Sequence, residues 1–460
     1  MRSAFQGLLI LVAAIGVLLW AFFLATFSNP DAAARQCIRP GMHADEAVQW
    51  SLARDASLGI PYSDNQDRFH GPALAVATRM SLALQGQSFQ TVTKEQLRQV
   101  PYAFYLLLCL APLALGGVPW PARVTAALLL FFSSAGTYFP NYFIQEPLLV
   151  AGFVWGVLLW QRSGADGRSP RWALVAGAGF GLALACKVTA AAYLGVLFLA
   201  LLLFGRETLR WRRVGWGALG TVAVWVCLQT SVFTDWDGMV AWGLQFWRSF
   251  GVASGNDDTL YATDLNYWWM VGAFLLGLGG LRLLQRQRHT LADVPLACAV
   301  GCYLFHLALP YKTPWLLFLP VCLALALVLP VLLNGSAMRW TLGVVGATVF
   351  VYSSGLTCKW HTATDYKVAC LPAQMAEIKA AWLKPHPQGQ FYIAVEASHY
   401  WPLPFYLRDF QVGFGDFAGA EQAPVRFIKA TDRSKPMVPG YAATYFELRQ
   451  REGYWMLVAE

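Results

Sequence analysis

The chain has 460 residues, 57% of them hydrophobic and only 13% charged, with a formal net charge of +8 and a mean hydropathy of +0.44. That leaves too little polar surface to cover a soluble globule, and apolar runs of bilayer length recur, so the composition predicts a polytopic membrane protein. The basic residues cluster in short loops between those runs, where the positive-inside rule expects them, which removes nucleic acid as an explanation of the charge.

The first run, residues 7–27, follows Met1-Arg2 and reads as an uncleaved helix; a signal peptide cut near Ala32-Ala33-Ala34 is the alternative. Further candidate spans lie at roughly 102–118, 122–139, 147–161, 172–186, 189–205, 214–231, 268–284, 292–309, 315–333 and 340–356, giving about 11 crossings. Only Lys187 interrupts the stretch 172–205. Basic segments flank it at 161–171 and 205–213, and both belong in the cytoplasm, so two short helices should meet near Lys187. The count places the N-terminus in the cytoplasm and the C-terminus outside, in an inner or plasma membrane.

Three large segments then face outward. Residues 29–100 contain two amphipathic stretches, near 43–57 and 71–85, the second opened by Gly71-Pro72. Residues 232–267 carry Asp235, Asp237, Asp257, Asp258 and Asp264 among aromatics, and Trp236, Trp242, Trp247, Trp268 and Trp269 read as interfacial anchors. Residues 357–460 suffice for a small domain, with strand patterns at 391–397 and 425–430 around a Pro-rich turn. The expected fold is an α-helical polytopic membrane domain over 1–356, with amphipathic outer-loop helices, and a small C-terminal α/β domain over 357–460 that is extracytoplasmic.

Six of the nine cysteines lie inside apolar runs, where a thiol is a small hydrophobe. Cys298 and Cys302 share a helical face, but no His or carboxylate joins them, so no metal site is expected. Cys358 and Cys370 could form a disulfide on an oxidising side, leaving Cys37 over.

The residues able to do chemistry fall near the expected outer surface. Pro40-Gly41 precedes a stretch in which Ala44, Ala47, Val48, Ser51 and Leu52 recur at helical spacing and should lie against the membrane or a neighbouring helix. Asp45 with Gln49, and Glu46 with Trp50 about 100° further round, would turn the carboxylates to an outer cleft. The plain alternative is that acidic residues in a first turn complement the helix dipole. Asp64, Asp67, Arg68 and His70 form either a polar turn before a helix or part of a site, and Glu146, at the start of a span, is either a cap or a site residue. Lys187 and Lys312 would stand at outer helix ends, against the positive-inside bias, which suggests an anionic ligand such as a phosphate attached to a lipid. A carboxylate acting as general base on an acceptor hydroxyl, with cations steadying a departing phosphate, would transfer a sugar from a polyprenyl-phosphate carrier. No P-loop and no GxGxxG after a strand is present, so a nucleotide donor is not expected.

The order of HADEA, YSDNQDRFHGP, NYFIQEP, GLALACKVTAAAYL, PYKTPWL and SHYWPLPFYLRDF resembles the GT-C superfamily of membrane glycosyltransferases nearly end to end. Within it the chain is most similar to the flippase-activity-associated proteins, related to the dolichyl-phosphate-mannose protein mannosyltransferases of glycosyltransferase family 39. The resemblance implies that Asp45 or Glu46 is the acidic catalytic position, with Asp45 favoured as base, and that Glu146 is the second acidic position. It implies that Lys187 and Lys312 contact the carrier phosphate and that His70 lines the same pocket; His43, Arg68 and Gln145 complete the expected substrate-binding set from their places in the outer segments. The implied partners are a lipid-linked sugar as donor, an acceptor that is a glycan, lipid or protein, and membrane lipids; a divalent metal is left open.

Two other readings stand beside this one. A non-catalytic, carrier-binding partner of a lipid-linked-sugar flippase would tolerate Asp45→Asn and Glu46→Gln. A transporter would need ionisable residues at mid-membrane, and the spans are nearly free of them. The terminal YWPLPFYLRD segment reads as packing of the outer domain, or as an aid to acceptor selection.

Overall fold

Glycine spacing explains how the central helices come together. Gly177 and Gly181 lie four apart on the Pro170–Cys186 helix, and a Cβ on either would strike the carbonyl of Gly217 (2.0 Å) or Thr221 (2.4 Å) on the Trp211–Gln229 helix. Small residues at this spacing let helix backbones approach where lipid removes the hydrophobic drive to associate. On its other side the Pro170–Cys186 helix packs through Gly179 onto Gly152 of the Glu146–Ala165 helix, again at near-backbone contact. The pairings run parallel in the first case and antiparallel in the second. Glu146, Cys186 and Gln229 are therefore at one end of the three-helix group.

The computed structural model describes residues 42, 44–61, 70–133, 139–165, 170–252, 262–283, 290–309, 314–334, 337–357 and 392–396, and, within 400–459, all but 402, 416–418, 431–435, 450 and 451. It is mostly helical, with a small sheet near the C-terminus. Residues 1–28, 55–87 and 95–358 form one compact unit; residues 29–54, 88–94 and 359–460 form another.

In the larger unit, three helices among the described residues are long and apolar enough to cross a membrane: Lys94–Ala114, Leu291–Ala308 and Trp315–Leu332. Shorter apolar helices include Ala73–Leu84, Trp120–Phe131, Arg171–Cys186, Thr189–Phe204, Tyr267–Leu283 and Trp340–Val351. The expected first span, 7–27, lies outside the described residues. The Pro170–Cys186 helix ends and the Thr189–Phe204 helix begins on either side of Lys187-Val188. The segment 232–267 is not a plain loop, because Asp237–Val252 is helical. The cysteines at 109, 186, 227, 298, 302 and 322 are free thiols, and Cys37, Cys358 and Cys370 lie outside the described residues.

The smaller unit holds a five-stranded sheet in the order β2-β1-β3-β5-β4, with β1 Tyr392–Glu396, β2 Gln411–Phe414, β3 Val425–Lys429, β4 Tyr441–Arg449 and β5 Glu452–Ala459. β1 lies parallel between β2 and β3, while β5 runs antiparallel to β3 and β4. One face buries Ile393, Val395, Val425, Phe427, Tyr454 and Met456 against Leu403 and Leu407 of the YWPLPFYLRD segment. On the other, Arg426 makes a two-pronged ion pair with Glu396 at 2.5 and 2.9 Å, which holds its guanidinium above the ordinary range.

Trp50 ties the Ala44–Ser57 helix into this unit. Its indole N–H donates to Phe89 O at 2.9 Å, and its ring meets Phe405 edge-on with centroids 5.1 Å apart. The Met42 N–H donates to Tyr406 Oη at 2.7 Å, and the Arg408 guanidinium lies over the Phe405 ring at 4.4 Å.

Candidate functional site

The site builds up from the break at Lys187. A helix that stops at Cys186 leaves carbonyls without intrahelical partners. The chain answers this with Gly71, whose N–H donates to Cys186 O at 2.8 Å. Only glycine fits there, since a Cβ would stand 2.0 Å from Ala185 O. Gln145 clamps the same segment from the other side through a short hydrogen bond from Nε2 to Gly71 O. Residues 70–72 thus dock on the break, and Ala73–Leu84 starts directly after.

Lys187 emerges from the break and pairs with Glu146 at 2.5 Å; the two side chains are only 15% and 10% exposed. An ammonium and a carboxylate so far from water persist because each supplies the other's counter-charge. Lys187 has three N–H donors, and Glu146 takes one of them. Below this pair, Tyr193 and His306 share a 2.7 Å hydrogen bond between the Thr189–Phe204 and Thr290–Ala308 helices, and His306 is 1% exposed.

The third helix contributes its last residue. Gln229 Nε2 donates to Gly238 O at 3.1 Å, and its Oε1 lies 3.3 Å from where a Cβ on Gly71 would stand. The chain returns to Gly238 through a left-handed turn at Ser231, Val232 and Phe233, with φ of 48°, 63° and 66°. Left-handed backbone costs about 1–2 kcal/mol per non-glycine residue. Thr230 holds the turn: its hydroxyl accepts from Phe233 N at 3.0 Å and its carbonyl from Thr234 N and Asp235 N at 2.9 Å.

Of the residues expected from sequence, Glu146, Gln145, Lys187 and His70 come together around the break. Asp45 and Glu46 belong to the smaller unit and part company there. Asp45 is exposed, whereas Glu46 is fully buried, as are its neighbours Gln49 and Trp50. The expectation that both carboxylates face an outer cleft is corrected for Glu46, because the Trp50 face of the helix turns inward to meet Phe89 and Phe405. His43, Asp64, Asp67, Arg68 and Lys312 lie outside the described residues. Among the described residues no cluster of three His, Cys, Asp or Glu side chains is arranged to hold a metal. Gln229, Gly71 as a docking point, Tyr193 and His306 were not anticipated.

No family model matches the chain, and no curated protein does. Solved structures do. The chain is similar to ArnT from Cupriavidus metallidurans bound to undecaprenyl phosphate, with 14% identity and a TM-score of 0.61, over 97% of each chain. It is also similar to the Archaeoglobus fulgidus oligosaccharyltransferase tethered with an acceptor peptide containing the NVT sequon, with 12% identity and a TM-score of 0.51. That match covers 91% of this chain and 64% of the oligosaccharyltransferase. At these identities the likeness is one of fold: the chain shares its fold with ArnT over nearly the whole of both chains, and over part of its length with the oligosaccharyltransferase.

Proposed function

We propose that this protein is a glycosyltransferase that moves a sugar from a polyprenyl-phosphate-linked donor to an acceptor at the outer face of a membrane. The observation that carries the reading is the nearly buried Lys187–Glu146 pair at a helix break. A fold shared end to end with a protein bound to undecaprenyl phosphate supports the same carrier chemistry here. Lys187 steadies the negative charge that grows on the carrier phosphate as the glycosidic C–O bond breaks. Glu146 holds the Lys187 ammonium in place. A carboxylate takes the proton of the acceptor hydroxyl while the oxygen attacks the anomeric carbon, and polyprenyl phosphate departs. Asp45 is taken as the base by resemblance; its side chain is exposed, whereas that of Glu46 is buried. Lys312 belongs to the proposed substrate set by resemblance, and Arg68 and His43 by their places in the sequence.

Polyprenyl phosphate binding tests this. With the protein in lipid nanodiscs, the wild type should bind the carrier saturably and Lys187→Met should bind it at least about tenfold more weakly, the loss of one charge-assisted contact. Equal binding by both would remove Lys187 from the carrier site.

A further inference from the structure

The Gln229 side chain is 4% exposed and half satisfied. A carbonyl oxygen only accepts, so the atom 3.1 Å from Gly238 O must be the amide nitrogen, and its mate must be the oxygen. That oxygen is buried and has no hydrogen-bond partner among the described residues. Trp225 stands four residues earlier, one turn back on the same helical face. Its Nε1 is a buried donor, also without a partner among the described residues. Native proteins rarely keep such atoms, because each costs stability in every unliganded molecule.

The surroundings are aromatic. The Trp225 and Trp242 rings meet edge-on at 4.8 Å, and Trp242 stacks on Phe246 at 5.9 Å. Trp242 is pinned by its own N–H, which donates to Leu184 O at 3.3 Å, two residues before the helix ends. The cluster therefore borders the same helix end that carries Lys187. An unmet acceptor and an unmet donor on one face suit a group that both gives and takes hydrogen bonds, which is a hydroxyl. Indole rings beside them suit the apolar C–H face of a pyranose.

We infer that Trp225, Gln229 and Trp242 form a sugar-recognition subsite for the pyranose of the lipid-linked donor, with Gln229 Oε1 accepting from one hydroxyl and Trp225 Nε1 donating to a sugar oxygen. This rests on the proposed function and names its recognition residues. Both orphan atoms are covered in the unliganded protein, so binding goes with a local opening of that cover.

The test compares ligands that differ only in the sugar. Full-length wild type, Trp225→Phe and Gln229→Met in nanodiscs are titrated with polyprenyl phosphate, with polyprenyl-phosphate mannose, glucose and galactose, and with the free hexoses. At least one sugar-bearing carrier should bind the wild type more tightly than bare carrier. Both variants should lose at least about tenfold on that ligand and nothing on bare polyprenyl phosphate. Trp225→Phe also gives up part of the ring contact with Trp242, so its control is bare polyprenyl phosphate: a purely structural role predicts that binding of the bare carrier falls as well. Equal losses on both kinds of carrier, no loss on either, or no preference for sugar in the wild type would overturn the subsite while leaving the carrier site standing. Tight binding of free hexose without the lipid form would overturn the lipid-linked source. Binding of neither carrier by the wild type would overturn the proposed function and the subsite together.

Discussion

Lys187 and Glu146 meet at 2.5 Å where one apolar helix stops and another starts, with both side chains largely withdrawn from water. Removing one partner leaves an uncompensated charge, which costs about 3 kcal/mol in comparable settings, while removing both leaves none. Lys187→Met and Glu146→Leu should each lower the thermal midpoint, and the double variant should recover most of the loss. A double variant that melts as low as the sum of the singles would show that the pair does not couple.

Gly71 is fixed by the close approach of Ala185 O, a backbone atom that has no room to yield. Gly71→Ala must push residues 70–72 off the break and sever the bond to Cys186 O. We expect a destabilisation of about 1–3 kcal/mol, the range for overpacking, together with weaker carrier binding. Unfolding and polyprenyl phosphate binding both unchanged would mean that the docking is dispensable.

Val232 sits at φ +63° in the left-handed turn after Gln229, a conformation that a β-branched residue rarely adopts. Val232→Gly should relieve about 1 kcal/mol of backbone strain and raise the thermal midpoint. A fall in the midpoint would show that the exposed Val232 side chain contributes more than its backbone costs.

Asp45 and Glu46 are adjacent yet differ in burial, and their substitutions should separate accordingly. Asp45→Asn, exposed and isosteric, should leave the melting curve unchanged. Glu46→Ala removes a fully buried, partnered carboxylate from the helix that Trp50 anchors, and should destabilise by about 1–3 kcal/mol. Identical melting curves for both variants would contradict this division.

The break at Lys187 was legible because one lysine interrupts an otherwise apolar stretch flanked by basic loops, and β1 and β3 were legible from FYIAVEA and VRFIKA. β2, β4 and β5 were not read: Gln411–Phe414 is too short to show a period, and the aromatic-rich YAATYFELR and EGYWMLVA need each other to declare a face. The burial of Glu46 was hidden because the partner of its neighbour Trp50 is Phe405, far along the chain. Gln229 carries no sequence signal beyond being a polar residue at the end of an apolar run. The spacing of Gly177 and Gly181 signalled a close helix contact, but its partner and parallel sense appear only in the pairing of Gly177 with Gly217 and Gly181 with Thr221.

The most direct test of carrier-dependent transfer is the release of free polyprenyl phosphate from a pool of lipid-linked sugars by purified wild type and a folded Asp45→Asn variant in nanodiscs. The account predicts release by the wild type, in step with glycosylation of an acceptor, and none by Asp45→Asn. Saturable carrier binding by both proteins, with no release by either across a broad acceptor mixture, would contradict it and leave a carrier-binding partner of a flippase as the better description.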